Sequence, residues 1–205
     1  SDERYFESTM SPEIPDSVPD SDLEFTAAWS VNSYDAVFDA NGGAWSDGSS
    51  QKTFSVAFDS EISAPEAPVK LGYVFKGWTP EVGIMDDVDG KIFKAVWVAS
   101  TETVYTVETY TMTADGSYSV VTQTFTGTTD TTVTAGYTVG TGFVLNTEKS
   151  VLSGTVYADN SLVLKAYIDR CSYTVTTVSD GNETSVSYLY GAVISDFAQP
   201  VRHGY

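Results

Sequence analysis

One cysteine, one histidine and ten lysines and arginines are all that this 205-residue chain offers to several kinds of chemistry. The single Cys171 can close no internal disulfide, and one Cys with one His gives no zinc-ligand spacing. Cys171 is expected as a small inert filler at a junction, with an intermolecular disulfide as the alternative. His203 stands near the C-terminal edge, and no Ser-His-Asp or Cys-His set can be assembled around it without an arbitrary choice. No catalytic residue is therefore assigned, and the chain is expected not to be an enzyme. Basic residues are outnumbered by 28 Asp and Glu, for a formal net charge of −18. Such a surface repels phosphates and anionic lipid headgroups, so nucleic acid is not an expected partner. No apolar run approaches about 18 residues, so no membrane insertion by a helix is expected. No charged-then-apolar targeting segment opens the chain, so a secreted parent would carry it as a mature or internal piece. The Gly-rich patches lack the Lys-Ser/Thr of a phosphate cradle. Asp86-Asp87-Val88-Asp89-Gly90 fails the EF-hand spacing and leaves at most a weak surface calcium site. No cofactor and no metal are expected.

What is abundant is Thr, Val, Tyr and Phe, in alternation. Val104–Tyr110 and Ser117–Thr122 are period-two runs of β-branched and aromatic residues, the pattern of half-buried strands. Turn formers separate such runs: Asn41-Gly42-Gly43, Asp47-Gly48, Asp89-Gly90, Asp115-Gly116, Asp159-Asn160 and Asp180-Gly181. These residues tolerate positive φ and favour tight hairpins. The spacing predicts a mainly antiparallel β chain, with a short helix or helical turn only at 60–67 and 145–152. Within a Thr-rich stretch, strands are expected near 104–112, 117–126, 131–139, 151–157 and 161–168. Thr126–Thr134 is expected as exposed strand rather than an O-glycosylated stalk, because it lacks the proline of such stalks.

The chain also repeats itself. At an offset of 68 residues, Tyr5, Pro12, Phe25 and Trp29 fall on Tyr73, Pro80, Phe93 and Trp97. At an offset of 132, Tyr190, Ile194, Pro200 and Tyr205 fall on Phe58, Ile62, Pro68 and Tyr73. Residues 1–30 therefore read as the second half of a repeat, 31–99 as a complete repeat, and 171–205 as a first half. Residues 100–170 form a separate Thr-rich module. Trp78 and Trp97 are the expected core anchors of the complete repeat, since their recurring positions suit packing better than exposed sugar platforms.

The central stretch resembles the Listeria–Bacteroides, or internalin-type B, repeat. The resemblance is carried by Phe38-Asp39-Ala40-Asn41-Gly42-Gly43, by Pro68-Val69-Lys70-Leu71-Gly72-Tyr73-Val74-Phe75-Lys76-Gly77-Trp78, and by Ala95-Val96-Trp97. Residues 100–170 resemble the MucBP-type modules that alternate with such repeats, through Tyr105-Thr106-Val107-Glu108, Asp115-Gly116-Ser117-Tyr118, Thr141-Gly142-Phe143, Ser153-Gly154-Thr155-Val156 and Leu164-Lys165-Ala166-Tyr167. The resemblance implies tandem small β-grasp-like modules in an elongated array, extracellular at a bacterial cell surface or secreted. It implies a stalk or adhesin role without catalysis. Mucin or glycan binding, attached to some relatives of the second module, is the alternative, with a host or cell-surface glycan as partner.

A half β-module exposes unpaired strand edges, which favours finding a partner. The two half-repeats are therefore expected to complete one another, head-to-tail between chains or within one chain. Phe25, Trp29, Tyr190, Ile194 and Tyr205 are the interface residues this expectation names.

Overall fold

The alternation seen in the sequence carries through to the backbone. In this computed structural model, which describes residues 6–11, 26–179 and 181–194 (6–11 and 26–29 as backbone), every regular element is a strand. The chain divides into two units, Ser1–Val98 and Ala99–Tyr205.

The first unit begins with a two-stranded antiparallel hairpin of β1 (Phe6–Ser11) and β2 (Thr26–Val31), paired from Phe6–Val31 to Ser11–Thr26. The four strands that follow are β3 (Ser33–Asp39), β4 (Gln51–Ala57), β5 (Tyr73–Thr79) and β6 (Lys91–Ala99). They form one sheet in the order β4-β3-β6-β5. β3 runs antiparallel to β4 and parallel to β6, so the first and second halves of the repeat meet along β3 and β6. Alternation on β3 sends Ala36 and Phe38 to a core closed by Ala40, Trp45, Ile62, Met85 and Phe93. Phe38 stacks on Phe93 at 4.9 Å and meets Trp78 edge-on at the same distance. Trp78 does anchor this core, half-buried at its margin.

The helix expected over 60–67 does not form. Pro65 and Pro68 interrupt any helical ladder, and each Pro pushes the residue before it into extended geometry. The segment runs extended instead, with Glu61 bridged to Ile84 and the Ile62 amide donating to the Gly83 carbonyl at 2.8 Å.

The second unit holds β7 (Thr103–Met112), β8 (Tyr118–Gly127), β9 (Thr132–Thr134), β10 (Phe143–Leu145), β11 (Ser153–Thr155) and β12 (Val163–Arg170). Its main sheet is ordered β10-β12-β7-β8, with β12 parallel to β7, and β9 pairs β11 in a small second ladder. Tyr105, Val107, Ala135, Val156, Leu162 and Leu164 make a separate core. The strand expected over 131–139 shrinks to β9, and β10 appears where none was expected.

Thr126–Thr134 is not a continuous exposed strand. It ends β8, turns through Asp130 at a φ of 64°, and starts β9. Thr129 at the turn is buried, with its Oγ1 2.6 Å from Thr103 Oγ1. Two small hydroxyls satisfying each other can enter a core that a lone one could not. At 146–150 the chain makes a single turn, closed by the Ser150 amide on the Asn146 carbonyl at 3.2 Å. It then pairs Val151 with Lys165.

The last strands among the described residues are a second antiparallel pair, β13 (Ser172–Ser179) with β14 (Asn182–Leu189), also a two-stranded sheet.

Candidate functional site

The residues that define the complete repeat form a latch between its two halves. Asp39 accepts from the Asn41 amide at 2.8 Å, turning the chain so that Asn41 takes a φ of 47°. The Asn41 side-chain amide then reaches across to the Ala95 carbonyl at 2.9 Å. From the other half, the Trp97 indole donates to the Ala40 carbonyl at 3.0 Å. Gly43 is pinned between these elements. A Cβ there would sit 2.7 Å from Trp97 Cζ2 and 2.8 Å from the Val69 carbonyl oxygen. Asn-Gly-Gly and the closing Ala-Val-Trp are thus one contact seen from two sides. Trp45, which the sequence reading did not single out, is buried beneath this turn region and donates to the Glu66 carbonyl at 2.7 Å.

The C-terminal hairpin copies the first half of that repeat in register. β3 and β4 pair Ser33 with Ala57 and Tyr34 with Val56; β13 and β14 pair Ser172 with Leu189 and Tyr173 with Tyr188. These are equivalent positions once the shorter Asp180-Gly181-Asn182 turn is allowed for. The aromatic corner is repeated too, with Tyr34 against Phe58 at 6.1 Å and Tyr173 against Tyr190 at 6.3 Å. Parity is kept: Val175 and Thr177, the counterparts of buried Ala36 and Phe38, are half-buried while Thr174 and Thr176 are exposed. Thr174 and Thr176 pair their hydroxyls with Ser187 and Ser185 on that exposed face.

Of the expected interface residues, Tyr190 is seated on the Thr-rich module while staying 41% exposed. Its ring meets Phe143 at 6.0 Å and fills the space a Cβ on Gly142 would need, and its carbonyl accepts from Arg170. Arg170 also covers the Phe143 ring at 5.0 Å and donates from Nε to the Met112 carbonyl. Cys171 lies in this joint as a free, partly exposed thiol. Its amide donates to the Gly142 carbonyl and its carbonyl accepts from the Tyr190 amide. Ile194 is exposed. The Trp29 backbone lies in β2 opposite Ser8. Phe25 and Tyr205 lie outside the described residues.

A second cluster sits on the outer face of the Thr-rich sheet. Tyr110 and Tyr167 stack at 4.3 Å, and Tyr118 meets both edge-on. Tyr110 donates to Glu108 at 2.7 Å, Tyr118 to Asp169 at 2.5 Å, and Lys149 donates to the Tyr118 hydroxyl at 3.0 Å. The Glu108 contact pushes the Tyr110 phenol up to about 12. Burial, then Asp169, raises Tyr118. Both phenols stay protonated at neutral pH and serve as donors within the cluster. The rings spend their faces and edges on one another, which makes this an interlock of the sheet surface rather than an open stacking platform.

The acidic turns are likewise engaged locally. Asp86 is paired with Lys91, whose ammonium also donates to the Ile84 carbonyl, and Lys91 is the leading cause that lowers the Asp86 carboxyl. Asp87 accepts from the Asp89 amide at 3.0 Å. Among the described residues no three His, Cys, Asp or Glu converge into a set that could hold a metal ion. In the β7–β8 turn, Asp115 accepts from Thr113 and from the Ser117 hydroxyl and amide, which lowers its carboxyl to about 2. A depressed folded value means the carboxylate favours the folded turn at neutral pH. That contribution is lost as pH falls from the ordinary carboxylate range through about 2. Side-chain carboxyl NMR should find Asp115 still ionised at pH 3, and Thr113→Ala should move its midpoint back toward the ordinary value. An unshifted Asp115 would contradict the turn geometry.

Two small β units, one carrying a latched pair of halves and the other a matching half, define a repeat-built β protein. The repeat is a particular one: residues 34–105 match the Listeria-Bacteroides repeat domain. A protein of Evansella cellulosilytica described as a Gly-rich membrane protein is 37% identical over 62 residues, an overlap covering 29% of this chain and 7% of that protein. The chain thus spans a small fraction of that relative's length. Among the described residues no helix is long and apolar enough to cross a membrane.

Proposed function

We propose that this chain is a non-catalytic segment of a bacterial surface protein: a stalk or adhesin piece made of β-grasp-like modules outside the cell. The observation that carries the reading is the Listeria-Bacteroides repeat at 34–105, whose first-half register recurs in β13 and β14. A protein that reuses one module in register extends its length by adding copies, and function then follows from spacing and from surfaces. The strong negative charge suits a solvated exterior role. The similarity to a described membrane protein agrees with a surface parent. The end hairpins, in this reading, complete one another between copies. Glycan recognition by the Thr-rich module is the second reading. It rests on the Tyr110, Tyr118 and Tyr167 cluster, whose rings are largely occupied by one another.

The test is antibody labelling of intact bacteria producing the parent protein, with protease shaving in parallel. Labelling of intact cells, and release of peptides from this chain by shaving, is the expected result. Labelling only after permeabilisation would overturn the surface assignment. On a glycan array, specific binding lost in Tyr118→Ala would favour the second reading.

A further inference from the structure

We propose that β8 pairs edge to edge with β8 of a second copy, antiparallel across a two-fold axis at Gln123, so that two four-stranded sheets become one. This goes beyond the surface reading above and uses no residue of the end hairpins.

The first unit supplies the comparison. The two main sheets run β4-β3-β6-β5 and β8-β7-β12-β10, each with its two central strands parallel. Phe93-Lys94-Ala95 on β6 and Leu164-Lys165-Ala166 on β12 correspond, and the outer members of each triplet are fully buried. Phe38 pairs with Phe93, and Val107 with Leu164. Their partners on the outer strands are therefore equivalent: Lys52 on β4 and Gln123 on β8. By the same step Phe54 corresponds to Phe125.

The exchange of Lys52 for Gln123 sets the character of the edge. Open edges are commonly protected by short strands, by lysine and by charges turned inward. Lys52 is such a guard, lying over the buried Trp45 ring at 5.3 Å and paired with Asp47. At the opposite edges β5 carries Lys76 and β10 is three residues long. β8 is ten residues long and reads Tyr-Ser-Val-Val-Thr-Gln-Thr-Phe-Thr-Gly, without charge or proline, in a chain of 28 acidic and 10 basic residues. Among the described residues its single neighbour is β7. Val121 and Phe125 face the same side as buried Tyr105 and Val107, yet stay 59% and 43% exposed.

A second β8 is the occupant that fits. The strand offers no charge for a partner to match, and two chains at −18 meet with least repulsion where both are neutral. The Thr113 amide donates to the Ser117 carbonyl at 2.8 Å, which fixes the alternation. Odd residues of β8 bond β7, while Val120, Thr122, Thr124 and Thr126 turn their N–H and C=O to the open edge. Self-pairing must match those even residues with one another, so its axis falls on a residue. Placed at Gln123, it sets Val121 against Phe125 of the other copy, twice, and Thr122 against Thr124. A β-branched residue opposite an aromatic one is a stabilising cross-strand pair, and both exposed apolar side chains are covered at once. Placed at Thr122, it would leave Phe125 opposite Ser119 and Val121 opposite Gln123. The contact is isologous and closes at two copies.

The test uses the 205-residue chain at about 0.15 M salt, where charges beyond about 8 Å are screened. In a Cys171→Ser background, Gln123→Cys places two thiols at a non-hydrogen-bonded pair, whose Cα separation of about 4.5 Å suits a disulfide. Ser119→Cys lies on the same face, but its two copies would stand about 27 Å apart. Mild oxidation should join Gln123→Cys into a covalent dimer at least about tenfold faster than Ser119→Cys. Without oxidation, the unsubstituted chain should sediment increasingly as a dimer as concentration rises. Gln123→Lys installs the guard of β4 and sets two ammonium groups face to face, so it should weaken that association at least about tenfold. Tyrosine near-UV dichroism checks that this variant stays folded; should it not, the cross-linking comparison decides. Equal cross-linking at both positions, or association that a folded Gln123→Lys leaves untouched, would overturn the pairing. So would a monomer at every concentration, which would hand this edge to a different partner. Intact-cell labelling is indifferent to these results, so their failure leaves the surface assignment standing.

Discussion

Phe38→Ala is expected to remove a large share of the first unit's stability while leaving the second unit's unchanged. Phe38 is fully buried and is the hub of the first core, touching Phe93, Trp78 and Phe54 at 4.9, 4.9 and 6.0 Å. Removing a buried phenyl ring costs about 3–5 kcal/mol, because the transfer free energy is lost and a cavity remains. A unit of this size holds only about 5–15 kcal/mol at the usual stability per residue. The second core, around Val107, Val156 and Leu164, includes none of these residues. Fluorescence can separate the two, since Trp29, Trp45, Trp78 and Trp97 all belong to the first unit. The tryptophan transition in urea should shift strongly toward zero denaturant. Tyrosine near-UV dichroism, dominated by the second unit, should keep its midpoint. A common shift of both signals would mean that the two cores unfold as one.

Gly43→Ala should be unusually damaging for so small a change. The added methyl would meet the Trp97 ring at 2.7 Å and the Val69 carbonyl at 2.8 Å, and the second of these is backbone that cannot swing away. Val69 and Ala44 are bridged by paired backbone bonds of 2.9 and 2.8 Å, so relief requires opening that bridge or expelling the indole from Ala40. Overpacking of this kind costs about 1–3 kcal/mol, or roughly 4–24 °C in Tm for a domain of 60–100 residues. A double-mutant cycle with Trp97→Phe should show coupling of about 0.5–3 kcal/mol, since the two residues share one contact. Additive losses would mean that Gly43 and Trp97 act separately, contrary to the latch.

Much of this architecture was legible in the residues, and the limits of legibility have physical causes. Strands β7 and β12 announced themselves because one face is buried and the other wet, which writes alternation into the sequence. The halves were legible because Tyr, Pro and Trp recur at fixed offsets, and the recurring register of β13 and β14 is what those offsets imply. Pairing of β3 with β6 was not legible. It joins residues more than fifty positions apart, and nothing local encodes a parallel neighbour. The path of 60–67 departs from the expected helix at Pro65 and Pro68, whose effect on the backbone outweighs the weak local helix pattern. Trp45 hid in a turn-rich segment, where burial is unexpected. Its signal was an aromatic two residues after Asn-Gly-Gly, close enough to the latch to be covered by it. The Tyr110, Tyr118 and Tyr167 cluster escaped because its members lie on three strands. Only the parallel pairing of β7 with β12 brings two of them together.

The proposed completion of the C-terminal half-repeat by a second copy is tested most directly by amide hydrogen exchange of β13 as a function of protein concentration. In dilute solution, amides of Ser172–Ser179 that point toward β14 should be protected and the alternate ones should exchange freely. At assembly concentrations those alternate amides should become protected as well. Fast exchange of the same amides at every concentration, or protection already complete at the lowest, would contradict an edge that waits for a second copy.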